Sequence, residues 1–185
     1  RLKAAGADLR RVLIVGDVPE DGEARPFDPA RDVPALEYEA HKLGGIALLI
    51  ADPVVSAVTG DSHKNTEVRR ALQPMVNLAE RIGAAVLGIT HFSKGSAGRD
   101  PLERVTGSIA FGALARIVMV TAKQPAEDGE GVKRLLARAK SNIGPDGGGF
   151  GYDLEQTTIQ TAHGSMDASA VRWGEALKGS ARELL

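Results

Sequence analysis

Three polar groups stand at the ends of apolar runs: Asp17 after Arg11–Gly16, Asp52 after Gly45–Ala51, and Thr90-His91 after Ala84–Ile89. Ile46 to Ala51 are all apolar, without the alternation of a half-exposed strand. Such a run reads as a strand buried on both faces of a parallel sheet. A carboxylate delivered to the C-terminal edge of that sheet lies where α/β proteins bind ligands. Beside phosphates, Asp52 would hold Mg²⁺, directly or through its water shell. The alternative is that Asp52 caps the turn that follows, with Pro53 ending the strand. A neutral His91 at the next strand's edge would hydrogen-bond a phosphate or an attacking water; the alternative is a satisfied core or rim histidine. Phe92-Ser93-Lys94-Gly95 adds a hydroxyl and a cation beside it, or is solvated surface.

The elements that must position these groups follow from pattern. Leu2–Leu9 reads as a short helix. Residues 18–34, with Pro19, Pro26, Pro29 and Pro34, read as an irregular excursion. Pro34 then lies near the start of a helix closed by Gly44-Gly45. Val54–Lys64 reads as a polar loop, and Asn65 or Thr66 as the cap of a helix with an apolar stripe from Val68 to Ile82. Gly83 ends that helix, and Pro74 should kink or break it. Ala84–His91 is the next buried strand. Ser93–Pro101 is Gly-rich and charged, Leu102–Ala115 is helical in pattern, and Arg116–Ala122 is a further strand.

After that point the pattern becomes one of hairpins. Asp128–Gly131 and Gly144–Gly149 are turn sequences between Val132–Ala139, Phe150–Ile159 and their neighbours. Ala168–Leu185, with Trp173, reads as a docking segment or linker. The fold class expected is α/β: a mainly parallel sheet with helices on both faces, extended by C-terminal antiparallel hairpins. Residues 1–160 are expected to form the core and 161–185 a tail or linker.

Composition excludes more than it assigns. With 185 residues, 43% apolar and 25% charged, the chain suits one soluble globular domain. A net charge of -1 gives no global nucleic-acid signal, so such a contact needs a local patch. The absence of cysteine removes disulfides and thiolate metal sites and fits a reducing cytoplasm. The chain begins with Arg1 inside a helical pattern, as expected of a piece of a longer protein.

The ordered set Leu48-Leu49-Ile50-Ala51-Asp52-Pro53, Asn65-Thr66-Glu67-Val68-Arg69-Arg70, Gly88-Ile89-Thr90-His91-Phe92-Ser93-Lys94-Gly95 and Thr106–Arg116 resembles RecA-like ATPases of the plasmid RepA helicase type. These include ATPase modules of phage and plasmid primase-helicases. The resemblance covers about Arg1 to Ile159 and implies a P-loop NTPase core using ATP and Mg²⁺. It makes Asp52 the Walker B aspartate and His91 the sensor after the next strand. Arg116 becomes the arginine finger given to a neighbour's site, or else an ordinary strand-start arginine. Arg134–Gly144 resembles the Lys-Asn strand of hexameric helicases, in which a Lys and a nearby polar residue, here Lys140 and Asn142, reach a neighbouring site's γ-phosphate. Lys94, the cation beside His91, is a further expected nucleotide contact.

Arg134, Arg138 and Lys140 fall on one face by alternation, either as a nucleic-acid contact (Arg134 and Arg138) or as a solvated hairpin face. The partners implied are a homo-hexameric ring, single-stranded DNA and an attached primase or replication-initiation domain. One departure matters: no Gly-x-x-x-x-Gly-Lys-Ser/Thr and no catalytic Glu strand occur in the sequence, and in the family both precede Arg1. This chain alone is therefore expected to hydrolyse little ATP. The competing readings are a recombination or regulatory ATPase of the RadA or KaiC sort, and a non-catalytic assembly remnant.

Overall fold

A computed structural model describes residues 1–58, 61, 64–93, 100, 102, 104, 109–125 and 132–185. They fall into two compact units, one running from Val15 to Ala115 and the other joining Arg1–Ile14 to Arg116–Leu185. No helix among the described residues is long and apolar enough to cross a membrane.

The Val15–Ala115 unit begins where an irregular excursion was expected, but it forms a hairpin. Strands β1 (Val18–Glu20) and β2 (Glu23–Arg25) pair antiparallel. Their turn puts Asp21 at φ 51° and Gly22 at φ 87°. An Asp-Gly pair tolerates two left-handed residues, and that twist matches the flanking strands. Asp28 then accepts from the Ala30 amide and caps helix α1 (Pro29–Lys42), with Pro29 in its first turn. The helix therefore starts earlier than Pro34 suggested, and Pro34 lies inside it.

Helix α2 (Asn65–Ile82) buries Val68, Leu72, Met75, Leu78 and Ala79 of the stripe expected from spacing, with Ala71 beside them, while Val76 of that stripe is exposed; the helix runs through Pro74. Its N-cap is Lys64, without a side-chain cap bond. Gly83 closes it at φ 67°, its amide donating back to Ala79 and Glu80. Glu37 of α1 and Arg81 of α2 are joined by two 2.7 Å hydrogen bonds.

Strands β3 (Leu48–Ala51) and β4 (Ala85–Gly88) pair in parallel, Leu48 opposite Ala85 and Ala51 opposite Gly88. Behind one face lies a core of Val54, Val68, Leu72, Met75, Ala110 and Phe111, joined by Leu49 and Ala51. Helix α3 (Ala110–Leu114) supplies Ala110 and Phe111. The expectation of burial on both faces fails: Leu48 and Ile50 are 49% and 52% exposed. The reason is that the helical core reaches only the Leu49–Ala51 side of the pair. Arg11–Asp17 is not a strand either. A strand needs a ladder, and this run has none among the described residues, leaving Ile14 91% exposed.

In the second unit, Leu2–Leu9 is a series of turns, not a helix, followed by one 3₁₀ turn at Leu9–Arg11. The Lys3 ammonium donates to the Gln160 carbonyl. Strands β5 (Ile117–Pro125), β6 (Val132–Ser141), β7 (Gly149–Thr161) and β8 (Gly164–Leu177) form one antiparallel sheet in that order. Parallel pairing among the described residues is thus confined to β3 and β4, and the mainly parallel sheet expected from sequence is replaced by a mixed α/β arrangement. Residues 161–185, read as a tail or linker, carry β8 and a short helix α4 (Ala181–Leu184). Ser180 and Glu183 form a reciprocal capping box on α4. One sheet face packs there: Leu135, Ala137 and Ala181 are buried with Ala122, Leu177 and Leu184 against them. The turn after β6 requires glycine, since a Cβ on Gly147 would lie 2.6 Å from the Gly179 carbonyl oxygen at φ +79°.

Candidate functional site

The Asp52 edge is built by the parallel ladder running on past its strands. The Ile89 amide donates to the Ala51 carbonyl at 2.9 Å, and the Val54 amide donates to the Ile89 carbonyl at 2.8 Å. These two bonds set Asp52 level with Ile89 and keep Thr90-His91 next in line, beyond the C-terminal ends of β3 and β4. The Asp52–Pro53 bond is cis.

Val54–Ala57 forms a 3₁₀ turn capped by Pro53 without any side-chain cap bond, so Asp52 is not spent on capping. Its carboxylate is exposed and forms no hydrogen bond or ion pair with the described residues. Hard carboxylate oxygens left free at a strand edge suit Mg²⁺, which commonly takes one or two carboxylates and completes its shell with phosphate and water. Among the described residues no cluster of three or more His, Cys, Asp or Glu forms a cage. The donor set therefore fits a metal shared with a phosphate and does not fit a metal held by protein alone.

Two residues that the sequence did not single out hold this edge. Gly88 lets Val54 approach: a Cβ there would come within 3.1 Å of a Val54 methyl. Arg104 holds the chain beyond His91. Its guanidinium carbon lies 4.0 Å from the Phe92 ring centroid, and its carbonyl accepts from the Ser93 amide at 2.8 Å. The buried Arg104 Nε has no hydrogen-bond partner among the described residues. A glycine inside an apolar strand could have signalled the close approach. Nothing local marks Arg104. His91 is exposed, three residues past the end of β4. Lys94 lies outside the described residues.

The remaining predicted residues come together at the other unit's strand β5. Arg116 is exposed just before Ile117, and its carbonyl accepts from the Asn142 amide at 2.8 Å. Val118 pairs with Lys140 and Ile117 with Ser141. Arg116, Lys140 and Asn142 thus share one strand foot. The Arg116 guanidinium makes no ion pair with the described residues. Arg134 and Arg138 lie on the same face of β6, opposite Lys123 and Met119. A register shift between Val118 and Met119 interrupts the alternation before Lys140, whose face is no longer set by counting.

No curated protein shows a significant sequence match to the chain. A family model described as an AAA domain matches residues 1–97, a span that includes Asp52 and His91 and stops short of Arg116. That span is more than half of the 185 residues, and the chain belongs to this family of AAA, P-loop-type ATPases.

Proposed function

We propose that the chain works within an ATP-driven, ring-forming motor on DNA, of the replicative helicase or primase-helicase kind. The observation that carries the reading is the Asp52 carboxylate, exposed and unspent at the end of β3. When bound there, Mg²⁺ would neutralise charge on the phosphates of ATP. Asp52 orients that charge, and His91, two residues beyond Ile89 at the end of the neighbouring strand, reports the γ-phosphate through a hydrogen bond. Arg116, without a salt bridge among the described residues, serves a neighbouring subunit's site, with Lys140 and Asn142 on the same strand foot. A guanidinium supplied in trans stabilises charge on the transferred phosphoryl.

The test is Mg²⁺-dependent ATP hydrolysis by the full-length protein. Asp52→Asn keeps the shape and removes the charge. Turnover should fall about 10³-fold, the scale of several kcal/mol of lost charge stabilisation. Unchanged turnover would remove Asp52 from the site. Unwinding of a forked DNA by the same preparation separates a helicase from a recombination or regulatory ATPase.

A further inference from the structure

We infer that the open face of the β5–β8 sheet is a binding platform for single-stranded nucleic acid, with its bases stacked on an aromatic cluster and its phosphates on a basic stripe. The inference stands apart from the ATP site, since every residue it uses lies in β5–β8, and a failure of the Asp52 assignment leaves it intact.

Register places the groups on one face. Tyr152 of β7 pairs with Trp173 of β8 and with Arg134 of β6, and Arg134 pairs with Lys123 of β5. The rings confirm it. Phe150 and Trp173 meet edge to face with centroids 6.2 Å apart, and Tyr152 and Trp173 are tilted at 5.9 Å. Strand alternation puts Arg138, two pairs of residues along from Arg134, on the same side, while Leu135 and Ala137 point into the core with α4. Trp173 is 58% exposed and Phe150 46%, although large aromatics gain most by burial. An exposed aromatic cluster of this kind marks an interaction surface.

Charge selects the occupant. Lys123 and Arg134 stand directly across from each other, a like-charge pair that destabilises a sheet unless something neutralises it. Neither forms an ion pair with a described residue. The acid at the far end of the same face, Asp167, accepts from the Thr158 hydroxyl at 3.1 Å. The face therefore offers rings and unneutralised cations side by side. A second copy of the chain would bring those cations against themselves under two-fold symmetry. A duplex would hide its bases from the rings. A single strand presents both π-faces and phosphates, and aromatic platforms bind it with little regard to sequence.

Trp173 is the one tryptophan of the chain, so it reports its own occupancy. Titrating the whole chain with a short oligo-deoxythymidine should quench its fluorescence. The slope of log K against log salt should be about −2, from three cations at roughly 0.7 each. Lys123→Ala and Arg134→Ala should each reduce that slope by about 0.7. Trp173→Ala, followed by anisotropy of a labelled strand, should weaken binding roughly 10- to 100-fold. Trp173→Phe keeps a ring in the cluster and should recover most of the affinity, which separates stacking from a folding defect. Arg172→Ala, on the opposite face and paired with Glu155, should change nothing. An oligo-uridine should bind about as well, because the platform reads bases and phosphates. Equal affinity for duplex, or displacement by heparin with no dependence on Trp173, would overturn the inference. So would self-association that Trp173→Ala abolishes.

Discussion

Both units leave apolar side chains in solvent, but in different company. On the parallel pair the exposed residues are Leu48, Ile50, Val86 and Leu87, all aliphatic, and the polar groups appear only where the strands stop, at Asp52 and His91. On the antiparallel sheet Phe150, Leu154, Val171 and Trp173 of β7 and β8 are exposed, with Lys123 and Arg134 on the adjoining strands β5 and β6. An unbroken aliphatic strand leaves no room for function along its length, so its chemistry is pushed to the edge of the sheet. An alternating strand keeps its core on one face and frees the other for cations and rings. The first arrangement suits an ion and a phosphate held at a point. The second suits an extended ligand.

The sharpest way to break this contrast is to test whether the two regions serve different subunits. If Arg116 acts in trans, full-length Arg116→Ala should lose about 10³-fold or more in turnover once assembled. Mixing it with full-length Asp52→Asn should restore partial activity, because some interfaces then pair an intact Asp52 with an intact Arg116. Lys140→Ala in the same mixing assay shows whether the lysine at this strand foot is the cation instead. Full turnover by assembled Arg116→Ala ends the finger assignment.

A smaller effect distinguishes the edge from the face through glycine. Gly88→Val forces new methyls against Val54, already 3.1 Å from an ideal Cβ, and should cost about 1–3 kcal/mol, read as a lower urea midpoint at unchanged slope. Gly151 of β7 has room: its nearest neighbour to an added Cβ, the Arg134 carbonyl oxygen, is 4.0 Å away. Gly151→Ala should stay within about 0.5 kcal/mol of the parent. If both substitutions cost the same, Gly88 is not holding Val54, and with it Asp52, in place.

What the sequence made legible divides along the same line. The α2 stripe from Val68 to Ala79, the Gly83 stop and the β3 ending at Asp52 all rest on local periodicity and capping, and they are where spacing put them. Burial of β3 on both faces was not legible, because an apolar run records the cover a strand is built for and Leu48 and Ile50 lack it in this chain. The Asp21-Gly22 hairpin was masked by surrounding prolines that suggested irregular chain. Strand β8 was missed because Asp167 to Glu175 mixes charge, Ala and Gly, weak strand formers whose pairing is imposed by β7. Of the candidate site residues, Asp52 and His91 could be named from strand ends and Arg116 only from a resemblance. Arg104 could not, since its place over Phe92 is a contact between residues twelve apart in sequence.

The smallest expected effect compares an inner ion pair with an outer one. Arg25 grips Asp32 through two 2.7 Å bonds, and the Asp28 amide adds a third at 2.8 Å, in a place where Asp32 is only 7% exposed. The Arg25 guanidinium, with that amide second, holds the Asp32 carboxyl far below its ordinary value of 3.8. On the sheet, Arg172 and Glu155 meet at 2.6 Å with side chains 69% and 49% exposed, where solvent and salt screen the attraction. A depressed carboxyl contributes stability that is complete above the unfolded pKa. That contribution falls away as pH drops below about 3.8, because the unfolded chain takes up a proton that the folded one refuses. Thermal melts from neutral pH down to pH ~3 should therefore show a decline that Asp32→Asn flattens, after an initial loss at neutral pH from leaving Arg25 half-paired with Glu20 alone. Glu155→Gln should leave the acid limb almost unchanged. An acid limb that survives Asp32→Asn and disappears with Glu155→Gln would mean that the exposed sheet, and not the β1–β2 hairpin clasped to α1, limits stability in acid.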